Sequence, residues 1–185
     1  MFWTALLFIW TASEIGINIA TRTRRGQGII EDRGSLLVLW IVIVSSVTAC
    51  EVLRRTAIGA LAGGSQLLAT LGWVVLLLGL AIRWAAIFSL GKSFSANVAI
   101  QPTQTVYRGG LYSRIRHPSY LGLLLIFEGI GLHACNWIAL LVAFIPPTAA
   151  VLYRIHVEEA ALEKAFGEEY LAYERDTKRL IPGVY

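Results

Sequence analysis

Charge is what this sequence has least of. Only 15% of its 185 residues are charged, against about 25% in an ordinary globular chain. Some 56% are hydrophobic and the mean hydropathy is +0.64. Burying that much apolar surface in a soluble domain of this length is excluded, because soluble chains carry about 45–50%. Cysteine is scarce too. The two present, Cys50 and Cys135, have no metal-ligand spacing. Both are expected towards the outer face, where a disulfide is open to them, although paired thiols in apolar context more often serve as packing residues. The sequence also lacks a phosphate-binding loop, a dinucleotide fingerprint, a zinc-binding HExxH and a G-x-S-x-G elbow. An enzyme built on it is expected to take its nucleophile from the substrate. No internal repeat appears, so a solenoid or an inverted-repeat transporter lacks support. No basic residue precedes the first apolar run, and Glu14 and Asn18 interrupt it. A retained helix is expected there, not a cleaved signal.

What is present is five apolar runs: Phe2 to Ala20, Ser35 to Leu53, Leu67 to Leu90, Tyr120 to His133 and Trp137 to Tyr153. They predict an all-α polytopic membrane protein with about five transmembrane helices. The fourth run is short unless its polar start also joins the helix. Ala57 to Gly64, rich in small residues, reads as a connector. By composition residues 1–64 form an N-terminal transmembrane hairpin. Residues 65–185 form a core holding a polar loop, a helical hairpin and a tail, where the candidate chemistry collects.

Basic residues set the expected orientation. Arg22, Arg24, Arg25 and Arg33 lie in the first loop, Lys92, Arg108, Arg114 and Arg116 in the third, and Lys164, Arg175, Lys178 and Arg179 in the tail. The positive-inside rule then places the N-terminus outside and the C-terminus in the cytoplasm. This bias, with contact to anionic lipid, accounts for the net charge of +4 without a nucleic acid. The fourth and fifth helices are separated only by His133 to Asn136, so they form a tight antiparallel hairpin. The polar loop before it and the tail after it must therefore emerge side by side. In that tail Leu162, Phe166, Tyr170 and Tyr173 recur at helical spacing, which predicts an amphipathic cytoplasmic helix continuing from the fifth span and ending before Pro182 and Gly183.

The stretch RIRHPSYLG, Arg114 to Gly122, opens the fourth helix. Pro118 suits the first helical turn, whose free amides favour an anion. Arg114 and Arg116 fit a plain role as lipid-phosphate anchors. His117-Pro118 followed by Tyr120 and Gly122 does not need such an anchor, and residue types alone leave both readings open. Arg154 and Glu158 share one helix face at four-residue spacing, so an ion pair is the plain expectation. At a membrane boundary such a pair is also a functional candidate. Pro146-Pro147 reads either as a tolerated kink or as a bend that opens space for lipid. Glu14, Glu51, Arg83 and Glu128 stand in or near apolar runs. Glu51 is expected near Arg54 and Arg55, and Arg83 against another helix.

Taken together, LGKSFSANVAIQPTQTVYRGGLYSRIRHPSYLGLLL and RIHVEEAALEKAFGEEYLAYERDTKRLIPGVY resemble the isoprenylcysteine carboxyl methyltransferase family. The shared features are RHPxYxG opening a membrane helix and a Glu-Glu pair before FGxxYxxY. The resemblance implies S-adenosylmethionine as methyl donor, leaving as S-adenosylhomocysteine. It places the donor against Gln101, Gln104, Thr105, Val106, Tyr107, Tyr112, His117, Pro118, Ser119, Tyr120 and Glu158. Arg154 and Glu158 are the catalytic pair it implies, with Arg154 facing the acceptor, an isoprenylcysteine-type carboxylate or another lipophilic group. No metal is implied. The partners are the bilayer and the lipophilic or prenylated substrate. One departure is that the family often has a histidine at Gln104 and Leu-Val at Val106-Tyr107. An ionised carboxylate attacking a sulfonium needs no base, since opposite charges merge, and a dry site favours it. An arginine fork that aligns the carboxylate is what the protein must add. Two other readings remain: an NADPH-dependent sterol or enone reductase, against which the Glu158-Glu159 pair argues, and a non-catalytic lipid-binding scaffold.

Overall fold

A computed structural model describes residues 2–21, 29–32, 34–61, 65–100, 105–183 and 185. Six α-helices carry the chain: α1 (Phe2–Thr21), α2 (Ser35–Leu53), α3 (Ser65–Leu90), α4 (Pro118–His133), α5 (Trp137–Phe166) and α6 (Glu168–Asp176). Two short strands, β1 (Ile29–Ile30) and β2 (Ala99–Ile100), pair antiparallel between the α1–α2 and α3–α4 loops. Helices α1, α2, α3 and α5 are long and apolar enough to cross a membrane. Their outward faces carry exposed Phe8, Ile41, Val44, Val74, Leu77 and Phe144, as lipid-facing helices require. The chain is an integral, multi-pass, all-helical membrane protein.

Helix α4 has 16 residues, about 24 Å at 1.5 Å per residue, which is less than the roughly 30 Å hydrocarbon core. The polar start does join it, with Pro118 at the first turn, as the sequence required. Its shortness is tolerated because none of its residues is exposed. Protein covers most of its surface. Against α3 it packs backbone to backbone: a Cβ at Gly122 would lie 2.6 Å from the Arg83 amide nitrogen and 2.7 Å from the Gly79 oxygen. At Gly129 the same atom would lie 2.6 Å from the Leu76 nitrogen and 2.7 Å from the Gly72 oxygen. Small residues permit such an approach where lipid offers no hydrophobic drive.

At the end away from the polar loops, Asn136 caps α5 by accepting from the Ile138 and Ala139 amides. Its side-chain nitrogen donates to the Leu53 and Ile58 carbonyls at 3.2 and 2.7 Å. Glu51 meets Arg54 at 2.9 Å nearby, as expected. Cys50 and Cys135 are not joined by a disulfide. Helix α5 runs unbroken through Pro146 and Pro147. The tail departs from the single continuous helix predicted for it. Gly167, at φ +52°, breaks it and starts α6 in a new direction, a turn that a residue with a Cβ resists.

Candidate functional site

Two clefts meet at the end where β1, β2 and α6 lie, and they share Phe94, Ser95, Ser119 and Tyr120. The first encloses about 740 Å³, part of it open to solvent, within the range of small-molecule sites. Thr105, Val106, Tyr107, Tyr112, His117, Ser119, Tyr120 and Glu158 line it, all of them residues that the family resemblance assigned to the donor. Gln101 and Gln104 lie outside the described residues. Pro118 does not line the cleft; it is fully buried and shapes the first turn of α4. Arg154 also stands apart, lining the second cleft of about 450 Å³, whose other walls include Glu14, Asn18, Leu39, Trp40 and Arg83.

Arg154 and Glu158 do not form the direct ion pair suggested by their spacing. Tyr120 stands between them. Arg154 Nε donates to the Tyr120 hydroxyl at 2.9 Å, and that hydroxyl donates to Glu158 Oε2 at 2.7 Å. The rest of the Arg154 guanidinium is held by Asp32 Oδ1 at 2.9 Å, Ser35 Oγ at 2.8 Å and the Ala96 carbonyl. So α2, α4, α5 and both polar loops all contribute to one charged group.

Arg116 overturns the lipid-anchor reading. Its side chain is 8% exposed and donates to Glu159 at 2.9 Å and to the Glu174 and Thr177 carbonyls. Arg114 is exposed and keeps the plain surface role. Buried Glu159 also accepts from Arg179 at 2.8 Å and faces His117 Nε2 at 3.2 Å. These ties, with the Arg116 and His117 amides bonded to the Lys178 and Arg179 carbonyls, clamp the tail beside the start of α4.

Leu162, Phe166, Tyr170 and Tyr173 all turn into the first cleft. The sequence marked them as one apolar stripe but not as walls of a site. Their tyrosines are neutral at physiological pH. Burial pushes Tyr112 and Tyr170 up, with Glu158 and Glu159 respectively adding to the effect. Burial takes Tyr173 to about 12, against the pull of Arg116 and Arg108. The Tyr173 hydroxyl donates to the Tyr112 carbonyl at 2.7 Å. Among the described residues, the Tyr170 hydroxyl is the buried side-chain polar atom with no partner, and it borders this cleft. Asp32 carried no sequence signal, since 122 positions separate it from Arg154.

The sequence profile of the isoprenylcysteine carboxyl methyltransferase (ICMT) family matches residues 70–164. The chain belongs to that family. Among its relatives, the Protein-S-isoprenylcysteine O-methyltransferase A of Arabidopsis thaliana is 30% identical over 61% of this chain and 58% of its own length. The Protein-S-isoprenylcysteine O-methyltransferase of Mus musculus is 32% identical over 62% of this chain and 41% of its own length. The solved structure of a eukaryotic intramembrane Ras methyltransferase ICMT superposes with a TM-score of 0.61 at 25% identity, covering 78% of this chain and 52% of the other. This family member thus spans about half the length of those relatives. The profile covers Arg116, Tyr120, Arg154, Glu158 and Glu159; Asp32 and Ser35 lie before it, and the clamp's tail partners Glu174, Thr177 and Arg179 lie after it.

Proposed function

We propose that this chain is an integral membrane methyltransferase that uses S-adenosylmethionine to methylate the carboxylate of a lipophilic, isoprenylcysteine-type acceptor at the cytoplasmic face. The observation that carries the reading is the Arg154–Tyr120–Glu158 relay, which joins a polar cleft to a second one reaching between α1, α2 and α3. In this reading residues 65–185 hold the donor and residues 1–64 complete the acceptor side. The basic loops and tail lie at the site's end of the helices, which supports a cytoplasmic position for it.

The first cleft suits the donor by its chemistry. Glu158 offers an anion to an ammonium or a ribose hydroxyl, and the unpartnered Tyr170 hydroxyl awaits a polar group. Thr105, Val106, Tyr107, Tyr112, His117, Ser119 and Tyr120 would complete the wall. When bound, S-adenosylmethionine supplies an electrophilic methyl group on a sulfonium. Arg154 presents its fork from the other side of Tyr120 and aligns the acceptor carboxylate. Phe94 and Tyr120 line both clefts, and their rings would shield the line of transfer from water.

Purified protein in detergent tests this. S-adenosylhomocysteine should bind by calorimetry and NADPH should not. Label from S-adenosylmethionine should pass to a prenylcysteine analogue, and Arg154→Ala and Glu158→Ala should each lower kcat/KM by about 100-fold or more. Normal transfer by both variants would sink the proposal.

A further inference from the structure

Arg154 is buried with a side chain 3% exposed, while its counterion Asp32 sits at the rim, 17% exposed. That asymmetry matters if, as proposed above, Arg154 receives the acceptor carboxylate. Hydrogen bonds to Tyr120, Asp32, Ser35 and Ala96 already take four of the guanidinium's five N–H donors. A second carboxylate has no room to form a fork with it until one of these leaves. The Tyr120, Ser35 and Ala96 partners are neutral, and α2, α4 and β2's flanking turn hold them. Asp32 is the one whose charge matches the newcomer's, and it has an open path to water. Losing it without replacement leaves a buried guanidinium uncompensated, which is strongly unfavourable.

We propose that Asp32 holds the acceptor carboxylate's place on Arg154, so that acceptor binding is an exchange of one carboxylate for another. The exchange then runs backwards after transfer. A carboxylate oxygen takes the methyl group, the carbon–sulfur bond breaks with its electrons staying on sulfur, and the acceptor becomes a neutral ester. No proton moves. The ester has lost the charge that displaced Asp32, so Asp32 reclaims Arg154 and expels the product. The inference rests on the methyltransferase reading, and it makes Asp32 a selectivity residue acting through Arg154 rather than a group that touches the reacting atoms. The backbone around Asp32 is suited to letting go and returning. It is held by the two-residue β1–β2 ladder, by the Glu31 amide donating to the Val98 carbonyl at 3.0 Å, by the Ser35 amide and hydroxyl donating to the Asp32 carbonyl and Oδ1 at 2.8 and 2.9 Å, and by a Lys164–Glu31 pair at 2.6 Å, ties of modest individual strength.

Asp32→Asn keeps the shape and removes the competing charge. With S-adenosylhomocysteine present, calorimetry on a prenylcysteine analogue and on its methyl ester should show both binding about tenfold tighter to the variant. Product inhibition by the ester should deepen in step. Weaker or unchanged binding of the acid overturns the proposal, because Asp32 would then be a brace for Arg154. Hydrogen exchange on the wild type gives a second measurement that needs no variant. Saturating acid should speed exchange at the Glu31 and Asp32 amides several-fold, and the ester should not; slowed or unchanged exchange with acid also overturns it. If the wild type transfers no label to the acid, the function reading falls and takes this one with it. Active transfer with an unmoved Asp32 overturns this inference alone.

Discussion

Glu158 and Glu159 are neighbours in sequence with separate roles, because successive residues on a helix point about 100° apart. Glu158 turns to Tyr120 and the first cleft; Glu159 turns to Arg116, Arg179 and His117. The residue on which both halves of the site depend is Tyr120. Its hydroxyl is donor to Glu158 and acceptor from Arg154, while its ring stacks on His117 at 5.6 Å between centroids. Tyr120→Phe keeps the ring and deletes both bonds to charged groups. Steady-state assays should show kcat/KM reduced about 10- to 100-fold with a modest fall in melting temperature. An unaltered rate would mean that Arg154 and Glu158 work independently.

Among the elements, the α3–α4 pair fixes where the site begins. Gly122 on α4 touches the backbone at Arg83, one turn from Ser119, whose carbonyl and hydroxyl accept from Arg83 at 3.1 and 2.9 Å. Gly122→Ala puts a methyl group 2.6 Å from a backbone nitrogen, so the helices must part. A loss of about 1–3 kcal/mol is expected from such overpacking, read as a lower melting temperature in detergent. Gly16→Ala, with nothing within 4 Å, is the control and should not destabilise. Helix spans were legible because an apolar run long enough to cross a bilayer has few other fates. His117, Ser119 and Tyr120 were legible because they sit in one local motif. Arg116 was misread for a physical reason: an arginine at a membrane boundary looks alike whether it meets lipid phosphate or, as here, a glutamate 43 positions on. The stripe from Leu162 to Tyr173 gave the right periodicity, but Gly167 redirects its second half, and only the fold shows that both halves face one cleft.

In the whole molecule, the two sequence regions are joined by buried charge. Glu14 of α1 meets Arg83 of α3, both nearly excluded from solvent, and Trp10 donates to Glu14 at 3.1 Å. Glu14→Gln strands the guanidinium and should cost about 3–5 kcal/mol, whereas Glu14→Leu combined with Arg83→Met should recover much of it. Thermal or denaturant unfolding of the two variants checks the order, and equal losses would show that the hydrogen bonds to Ser119 matter more than the charge. This partnership, like that of Asp32 with Arg154, joins residues far apart in the chain, which is why the N-terminal region looked featureless in sequence and yet walls the second cleft.

At the opposite end the turn between α4 and α5 is stitched to the α2–α3 connector. Asn136 holds the Leu53 carbonyl at the end of α2 and the Ile58 carbonyl of the connector, the Trp137 amide donates to the Gly59 carbonyl at 3.0 Å, and the Leu61 amide donates to the Cys135 carbonyl at 2.9 Å. That end is a fulcrum. Helix α2, 19 residues long, is then a lever of about 28 Å, and a tilt of about 10° at the fulcrum carries its far tip through about 5 Å. Because Leu39 and Ile43 of α2 are buried in the core, such a tilt must carry part of the core with it, so loosening the Asn136 end is expected to be felt as far away as Asp32.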